Sequence, residues 1–229
     1  MKREKKLWTG IGLLLLFVLW TVLIQCLDVQ AVGPKDTKVG FASWNVWFHS
    51  LTGTNMTLYT ITDWLGLVPI LICGCFGIIG LSQWIHRKRL FRVDSDLLLL
   101  GIYYLLVIAG YLLFEMVPVN YRPVLIDGYL EASYPSSTTL LVLSVMPTLK
   151  LQADRRCENR TLRCLAAWFS VLFSAFMVNG RLISGVHWAT DIIGSVLLSA
   201  GLFCLYCTAV AYADQKKNEK KPRGIYGIS

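Results

Sequence analysis

The chain has 229 residues, of which 55% are hydrophobic and only 16% charged, with a formal net charge of +8. Its charges are bunched between long apolar stretches instead of scattered as on a water-facing surface, which excludes an ordinary soluble domain. The basic excess is spread over the flanks of those stretches and forms no single patch, so no nucleic-acid partner is expected.

A helix needs about 20 mostly apolar residues to cross a hydrocarbon layer about 30 Å thick. Six such stretches are predicted, at about 7–27, 63–85, 97–117, 137–153, 163–183 and 188–212, giving an all-α fold, a six-transmembrane-helix bundle in one domain over 1–229. The fourth carries Pro147 and the fifth ends near Arg181. The first begins behind Lys2, Arg3, Lys5 and Lys6 and resembles a signal peptide. Its apolar run is about 20 residues long with no small-residue cleavage site, so a retained first span is expected.

The connection 28–62 contains Phe41, Trp44, Trp47 and Phe48, whose spacings of three and four place the rings on one face of a short helix in the headgroup layer. His49 beside them is expected at the interface. Arg87, Lys88, Arg89 and Arg92 follow the second span; Lys150, Arg155, Arg156, Arg160 and Arg163 separate the fourth and fifth; Lys216, Lys217, Lys220, Lys221 and Arg223 lie in a basic tail, 213–229. Basic residues at alternate connections predict that both termini and these loops are cytoplasmic; a compact single bundle without lumenal cysteines or a long glycosylated loop suits a multi-pass protein of the plasma (cell) membrane. Only Lys35, Lys38, Arg122 and Arg181 remain for the outer side. The cysteines suggest no disulfide framework, and Cys204 and Cys207, within an apolar helix and without His or carboxylate neighbours, read as packing residues; no metal site is expected.

Polar groups at a bilayer face persist only when paired or solvated, so they mark where chemistry is sought. Three clusters fall on the outer side: Glu115 to Arg122-Pro123; Tyr134-Pro135-Ser136-Ser137-Thr138-Thr139; and Asn179-Gly180-Arg181 through His187 to Asp191. His187 and Asp191 are four apart at a helix start, so the carboxylate is expected to accept a hydrogen bond from one imidazole nitrogen and leave the other free as a base or nucleophile. Gly185 in the preceding turn lets Arg181 fold back toward the imidazole, and a guanidinium suits phosphate oxygens. Pro135-Ser136-Ser137 reads as a helix start whose free N–H groups favour an anion, and Arg122 adds a second cation.

These residues resemble the type 2 phosphatidic acid phosphatases (PAP2), whose helical core is shared with vanadium haloperoxidases. The family signature is Lys, six residues, Arg-Pro; then Pro-Ser-Gly-His; then Ser-Arg, five residues, His, three residues, Asp. The chain has Arg122-Pro123, Pro135-Ser136 and Arg181-x5-His187-x3-Asp191 in that order across 115–191. The resemblance implies an integral membrane phosphatase of a lipid phosphate or diphosphate, active at the outer face, without metal, cofactor or obligate protein partner. It further implies that His187 attacks phosphorus to give a phosphohistidine, that Asp191 holds its tautomer, and that Arg122, Arg181, Ser136 and Ser137 bind the phosphoryl oxygens.

The chain departs from the signature at four positions: Glu115 for Lys, Ser137 for Gly, Thr138 for His and Gly180 for Ser. The family histidine at 138 protonates the leaving oxygen, which a threonine hydroxyl does poorly near neutrality. A leaving group that needs no proton is therefore favoured, such as the phosphate monoester released from a polyprenyl diphosphate. Glu115 is expected either to pair with an arginine or to supply the missing proton. The rival readings are a catalytically impaired relative that binds or moves a phospholipid, and a lipid phosphoryl transferase.

Overall fold

The structure, a computed structural model, describes residues 2–219; Lys220, Lys221 and Arg223 of the basic tail lie outside the described residues. In chain order it has α1 (Lys2–Cys26), a two-stranded antiparallel ribbon of β1 (Gln30–Ala31) and β2 (Lys38–Val39), and the short helices α2 (Ala42–Thr52) and α3 (Met56–Leu65). There follow α4 (Leu67–Arg87), α5 (Ser95–Met116), α6 (Ser137–Arg156), α7 (Arg160–Ile183) and α8 (Ala189–Glu219). The six long helices correspond to the six expected spans. The last runs on to Glu219, so the first part of the expected tail is helical.

Among the described residues five stretches are long and apolar enough to cross a membrane: Arg3–Cys26, Met56–Arg87, Ser95–Met116, Arg160–Ile183 and Ala189–Glu219. The sixth helix, α6, is too polar in composition to be among them, and it packs against α4, α5, α7 and α8. It buries Thr138, Thr139, Ser144, Thr148 and Gln152. A helix surrounded by protein can carry hydroxyls, provided each finds a partner. Tyr103 donates to the Ser144 carbonyl at 3.0 Å, Tyr104 and Thr148 share a bond of 2.6 Å, and Gln152 donates to Tyr206 at 3.0 Å.

The first and last helices pack along their length, and small residues set how closely they come. A Cβ on Gly201 would lie 2.8 Å from the Leu14 side chain, and one on Gly10 would lie 3.2 Å from the Gly201 carbonyl. Close backbone approach through glycine is how helices gain contact area in lipid, where no hydrophobic force draws them together. Trp20 fixes the register at one end by donating to the Thr190 carbonyl at 3.1 Å. At the other end an ionic cluster joins α5, α6 and α8. Asp96, 5% exposed, accepts from Arg155 at 3.2 Å and Arg156 at 2.7 Å, and Arg155 also pairs with Asp214 at 2.9 Å.

The segment between α1 and α4 corrects the sequence reading. Phe41 is not on the helical face with the tryptophans: it caps α2 in a left-handed conformation (φ 50°) and stacks on Trp20 with centroids 5.1 Å apart. Trp44 and Trp47 are exposed. The expected second span begins as a separate helix, α3, which breaks at Gly66 before α4.

Candidate active site

Three pieces of backbone meet at the end of the bundle opposite the ionic cluster. The first is a hairpin-like loop between α5 and α6, closed by the pairings Tyr121–Ala132 and Ile126–Tyr129 around Asp127 (φ 49°) and Gly128 (φ 82°). Its ladder, Arg122 N–H to the Glu131 carbonyl at 3.1 Å and Ser133 N–H to the Asn120 carbonyl at 2.9 Å, sets Asn120, Arg122, Glu131 and Ser133 side by side. The second is the N-terminus of α6. The third is the turn from α7 to α8, where Gly185 has φ 66°. A Cβ on Gly185 would lie 1.8 Å from the Gly53 carbonyl, so the turn between α2 and α3 seats directly on it. Asn55 N–H donates to the Ser184 carbonyl at 2.9 Å, and His49 Nε2 lies 3.0 Å from the Gly185 carbonyl. His49, expected at the interface, thus braces the turn that presents His187.

His187 is 4% exposed. Its Nδ1 lies 3.1 Å from Ser133 Oγ and 3.2 Å from the Ser133 carbonyl, but 3.9 Å from Asp191 Oδ2. The expected direct bond to Asp191 is therefore replaced by a serine bridge. Ser133 Oγ donates to Asp191 Oδ2 at 2.5 Å, which leaves the hydroxyl oxygen to accept from Nδ1–H. The same carboxylate accepts from the Trp188 N–H at 2.9 Å and from Asn120 Nδ2 at 3.3 Å. Asp191 turns back to cap the first turn of its own helix, and this pulls it away from the imidazole. The proton is held on Nδ1, so Nε2 carries the lone pair, and Nε2 is buried without a partner. Burial, and after it the cations of Arg122 and Arg181, push the His187 proton affinity well below the ordinary imidazole value, which keeps the ring neutral.

Arg181 is 1% exposed. Its Nη2 donates to Asp63 Oδ1 at 2.7 Å and to the hydroxyl of Thr138, and its guanidinium lies 4.7 Å from the centroid of Tyr59. Arg122 stands 5.6 Å from the same ring and forms a 3.0 Å ion pair from Nε to Glu131, at an angle outside hydrogen-bond geometry. Arg122 Nη1 and Arg181 Nε and Nη1 are buried without partners. Together with His187 Nε2 they form a set of unsatisfied polar atoms, three of them cationic donors. Such groups are costly to bury alone and are matched by an anion that accepts from the guanidinium groups while facing the imidazole.

Gly180, where the family signature has serine, is the point at which α3 approaches α7: a Cβ there would lie 2.6 Å from Thr62 Cγ2. That approach brings Tyr59 and Asp63 to Arg181. Glu115 pairs with neither arginine, because Glu131 and Asp63 already hold them; it stands exposed at the wall of the cavity. Ser136 turns its hydroxyl to Thr139 at 3.1 Å and does not line that cavity, whereas Ser137 does.

The cavity, of about 260 Å³, is walled by Tyr111, Phe114, Glu115, Arg122, Glu131, Ser133, Tyr134, Ser137 and His187. A second, apolar groove of about 360 Å³ shares Tyr111 and Ser137 with it and runs between α4, α5 and α6 along Leu67, Ile70, Val107, Ile108 and Leu141. Asp63 and Thr138 stand at its polar end. Sequence reasoning missed Tyr59, Asp63, Asn120, Glu131 and Ser133. A signal existed for Asp63, a carboxylate at the edge of an apolar span. The others become neighbours only through the hairpin-like loop and α3.

Residues 116–215 match the family model of the PAP2 superfamily. No curated protein matches the chain in sequence. A solved structure described as the first transmembrane PAP2 type phosphatidylglycerolphosphate phosphatase from Bacillus subtilis is similar to this chain with a TM-score of 0.59, 19% identity, and coverage of 91% of this chain and 97% of that one. At that identity the likeness is one of fold.

Proposed function

We propose, on the match of residues 116–215 to the PAP2 superfamily, that this chain is an integral membrane lipid phosphatase that works through a phosphohistidine at His187. The observation that carries the reading is a set of unpartnered buried atoms: the lone pair of His187 Nε2 and Arg122 Nη1 in the wall of one cavity, and Arg181 Nε and Nη1, whose guanidinium shares the Tyr59 ring with Arg122. A lipid tail lies in the groove along Leu67, Ile70, Val107, Ile108 and Leu141, and its phosphoryl group enters the cavity by way of Ser137 and Tyr111. The guanidinium groups hold the non-bridging oxygens. Nε2 attacks phosphorus, the P–N bond forms as the P–O bond to the leaving group breaks, and the electron pair departs on that oxygen. Nδ1–H stays on Ser133, and the negative Asp191 beyond it offsets the positive charge that develops on the ring. Water then attacks the same phosphorus and gives up a proton to solvent, the P–N bond breaks with its electron pair returning to Nε2, and neutral imidazole is regenerated with release of phosphate.

The leaving group follows from Thr138. Its hydroxyl is engaged by Arg181 and has an alcohol's acidity, so it does not protonate an alkoxide. A lipid diphosphate, which expels a phosphate monoester, is the favoured substrate. The distribution of basic residues supports a cell-membrane orientation with cytoplasmic termini and the cavity at the outer face. One observation favours a second reading, a protein that binds a phospholipid without cleaving it: both arginines already hold carboxylates, Glu131 at 3.0 Å and Asp63 at 2.7 Å. Phosphate release from matched lipid diphosphates and monophosphates, run beside His187→Ala, separates them. Release lost in His187→Ala and faster with the diphosphate supports the proposal. Transfer of the phosphoryl group to another acceptor without release indicates a transferase. Lipid binding with neither release nor transfer establishes the binder.

A further inference from the structure

A site built for a bare phosphate gathers cations, yet this one also gathers carboxylates. Glu115 and Glu131 both line the cavity that holds His187 and Arg122, and both lie near the hydroxyl of Tyr111. Asp63 stands on the far side of Arg181. Three carboxylates thus offset two guanidinium groups before any substrate arrives, and a phosphate dianion would leave the site strongly negative. Glu131 and Asp63 each have an arginine partner. Glu115 has no arginine partner, and it stands where the family signature has a lysine, so the charge at that position is reversed. The walls beside it are the aromatic rings of Tyr111, Phe114 and Tyr134. Carboxylates set among aromatic rings are the surroundings that hold an organic ammonium group. In the same cavity the buried Arg122 Nη1 remains unpartnered and calls for an anion, and the unpartnered lone pair of His187 Nε2 faces the phosphorus such an anion would carry. The two demands lie side by side, one for negative and one for positive charge.

We propose that the head group selected by this site carries an ammonium group next to its phosphate, with the amine between Glu115 and Glu131 and the phosphoryl group facing His187 and Arg122. The ligand class is a lipid whose phosphate carries an amino alcohol; with Thr138 supplying no acid for an alkoxide, this lipid is held at the site without being cleaved. This rests on the phosphoryl site described under the proposed function and specifies what lies beyond the phosphorus. It explains why lysine is absent at 115: a cation there would occupy the place of the amine. A bound metal ion fits less well, because no group of three or more His, Cys, Asp or Glu side chains is assembled among the described residues.

The test measures binding, so that it does not depend on turnover. His187→Ala protein in nanodiscs of an uncharged diglycosyldiacylglycerol, which carries neither phosphate nor ammonium, is titrated with phosphatidylethanolamine and with phosphatidylglycerol of the same chains, and bound lipid is counted by native mass spectrometry. Phosphatidylethanolamine is expected to bind about fivefold more tightly, the scale of one partly exposed ion pair. Glu115→Gln removes most of that preference, and Glu115→Lys reverses it toward phosphatidylglycerol. Because Glu115 is exposed, both variants are expected to fold, which a thermal melt verifies. Equal or tighter binding of phosphatidylglycerol by the His187→Ala protein overturns the proposal, as does a preference unchanged in well-folded Glu115→Lys. Phosphate release from unsubstituted lipid diphosphates by the wild-type protein is scored separately. Its absence sinks the phosphatase reading alone, and its presence with no amine preference sinks this inference alone.

Discussion

Replacing Ser133 by alanine removes one oxygen atom, and that atom is all that connects Asp191 to His187. Ser133 is 2% exposed, its hydroxyl lies 2.5 Å from Asp191 Oδ2 and 3.1 Å from His187 Nδ1, and the direct distance from Nδ1 to Oδ2 is 3.9 Å. In Ser133→Ala the carboxylate keeps Trp188 N–H and Asn120, while Nδ1–H keeps only the Ser133 carbonyl at 3.2 Å. A hydrogen bond to a charged group contributes about 1.5–3 kcal/mol. If that amount is felt when positive charge develops on the ring, kcat falls about ten- to hundredfold, at roughly 1.4 kcal/mol per decade. KM should change little, because Ser133 holds the imidazole and not the lipid. The assay is phosphate release by reconstituted protein with kcat and KM resolved, together with a thermal melt. Ser133→Cys, which keeps a weak donor and acceptor, should fall between the wild type and Ser133→Ala. A kcat for Ser133→Ala within twofold of wild type, with folded His187→Ala inactive, would refute the bridge: Asp191 would then reach the imidazole unaided or not matter to it.

The pH profile carries a second prediction. Burial first, then Arg122 and Arg181, lower the proton affinity of His187, so the imidazole stays neutral and the rate holds as pH falls through 6.5. Arg122→Gln removes one of those cations and should move the acid limb upward in pH; a wild-type limb already at the ordinary imidazole value, unmoved in the variant, contradicts this. The same depressed affinity gives the unfolded chain the greater proton uptake, so stability is intact above the ordinary imidazole range and declines as pH falls from there toward the folded value, as melts across pH would record. Gly185→Ala places a Cβ 1.8 Å from the Gly53 carbonyl at φ 66°, and should cost at least about 2 kcal/mol along with most activity; an unchanged melting temperature would show that the turn adapts freely. Leu141→Trp fills the apolar groove and should raise KM for long-chain substrates about tenfold, roughly 1.4 kcal/mol of overpacking, without affecting a short-chain soluble phosphate ester; equal effects on both would remove the groove from the lipid path. Thr138→His restores an acid at the leaving oxygen and should raise cleavage of a lipid monophosphate about a hundredfold relative to the diphosphate; no change in that ratio would rule out the leaving-group argument.

Five of the six long helices were legible because lipid solvates them: each needs an apolar run of fixed minimum length, and the bilayer reads that run whatever lies beside it; α6, packed among its neighbours, carries no such run. The ionic cluster of Asp96, Arg155, Arg156 and Asp214 falls where the bunched charges pointed, since charge is excluded from the middle of the layer. Spacing also placed Arg122, Arg181, His187 and Asp191 at one end of the bundle, because residues flanking consecutive helices return to the same face at alternate turns.

Contacts between distant segments were not legible in this way. A four-residue spacing put Asp191 on the same helical face as His187, but the carboxylate caps its own helix, and a serine from a loop 58 residues away fills the gap. The partners of the arginines, Glu131 and Asp63, come from a loop pairing and from a helix far up the chain, so no local period connects them. The sequence by itself determined which stretches lie in lipid and which polar residues stand at their ends, through burial length and charge exclusion. The tertiary structure alone decided which of those groups are already satisfied and which still face an empty cavity, because hydrogen-bond partnership depends on ångström distances between segments that share no sequence period.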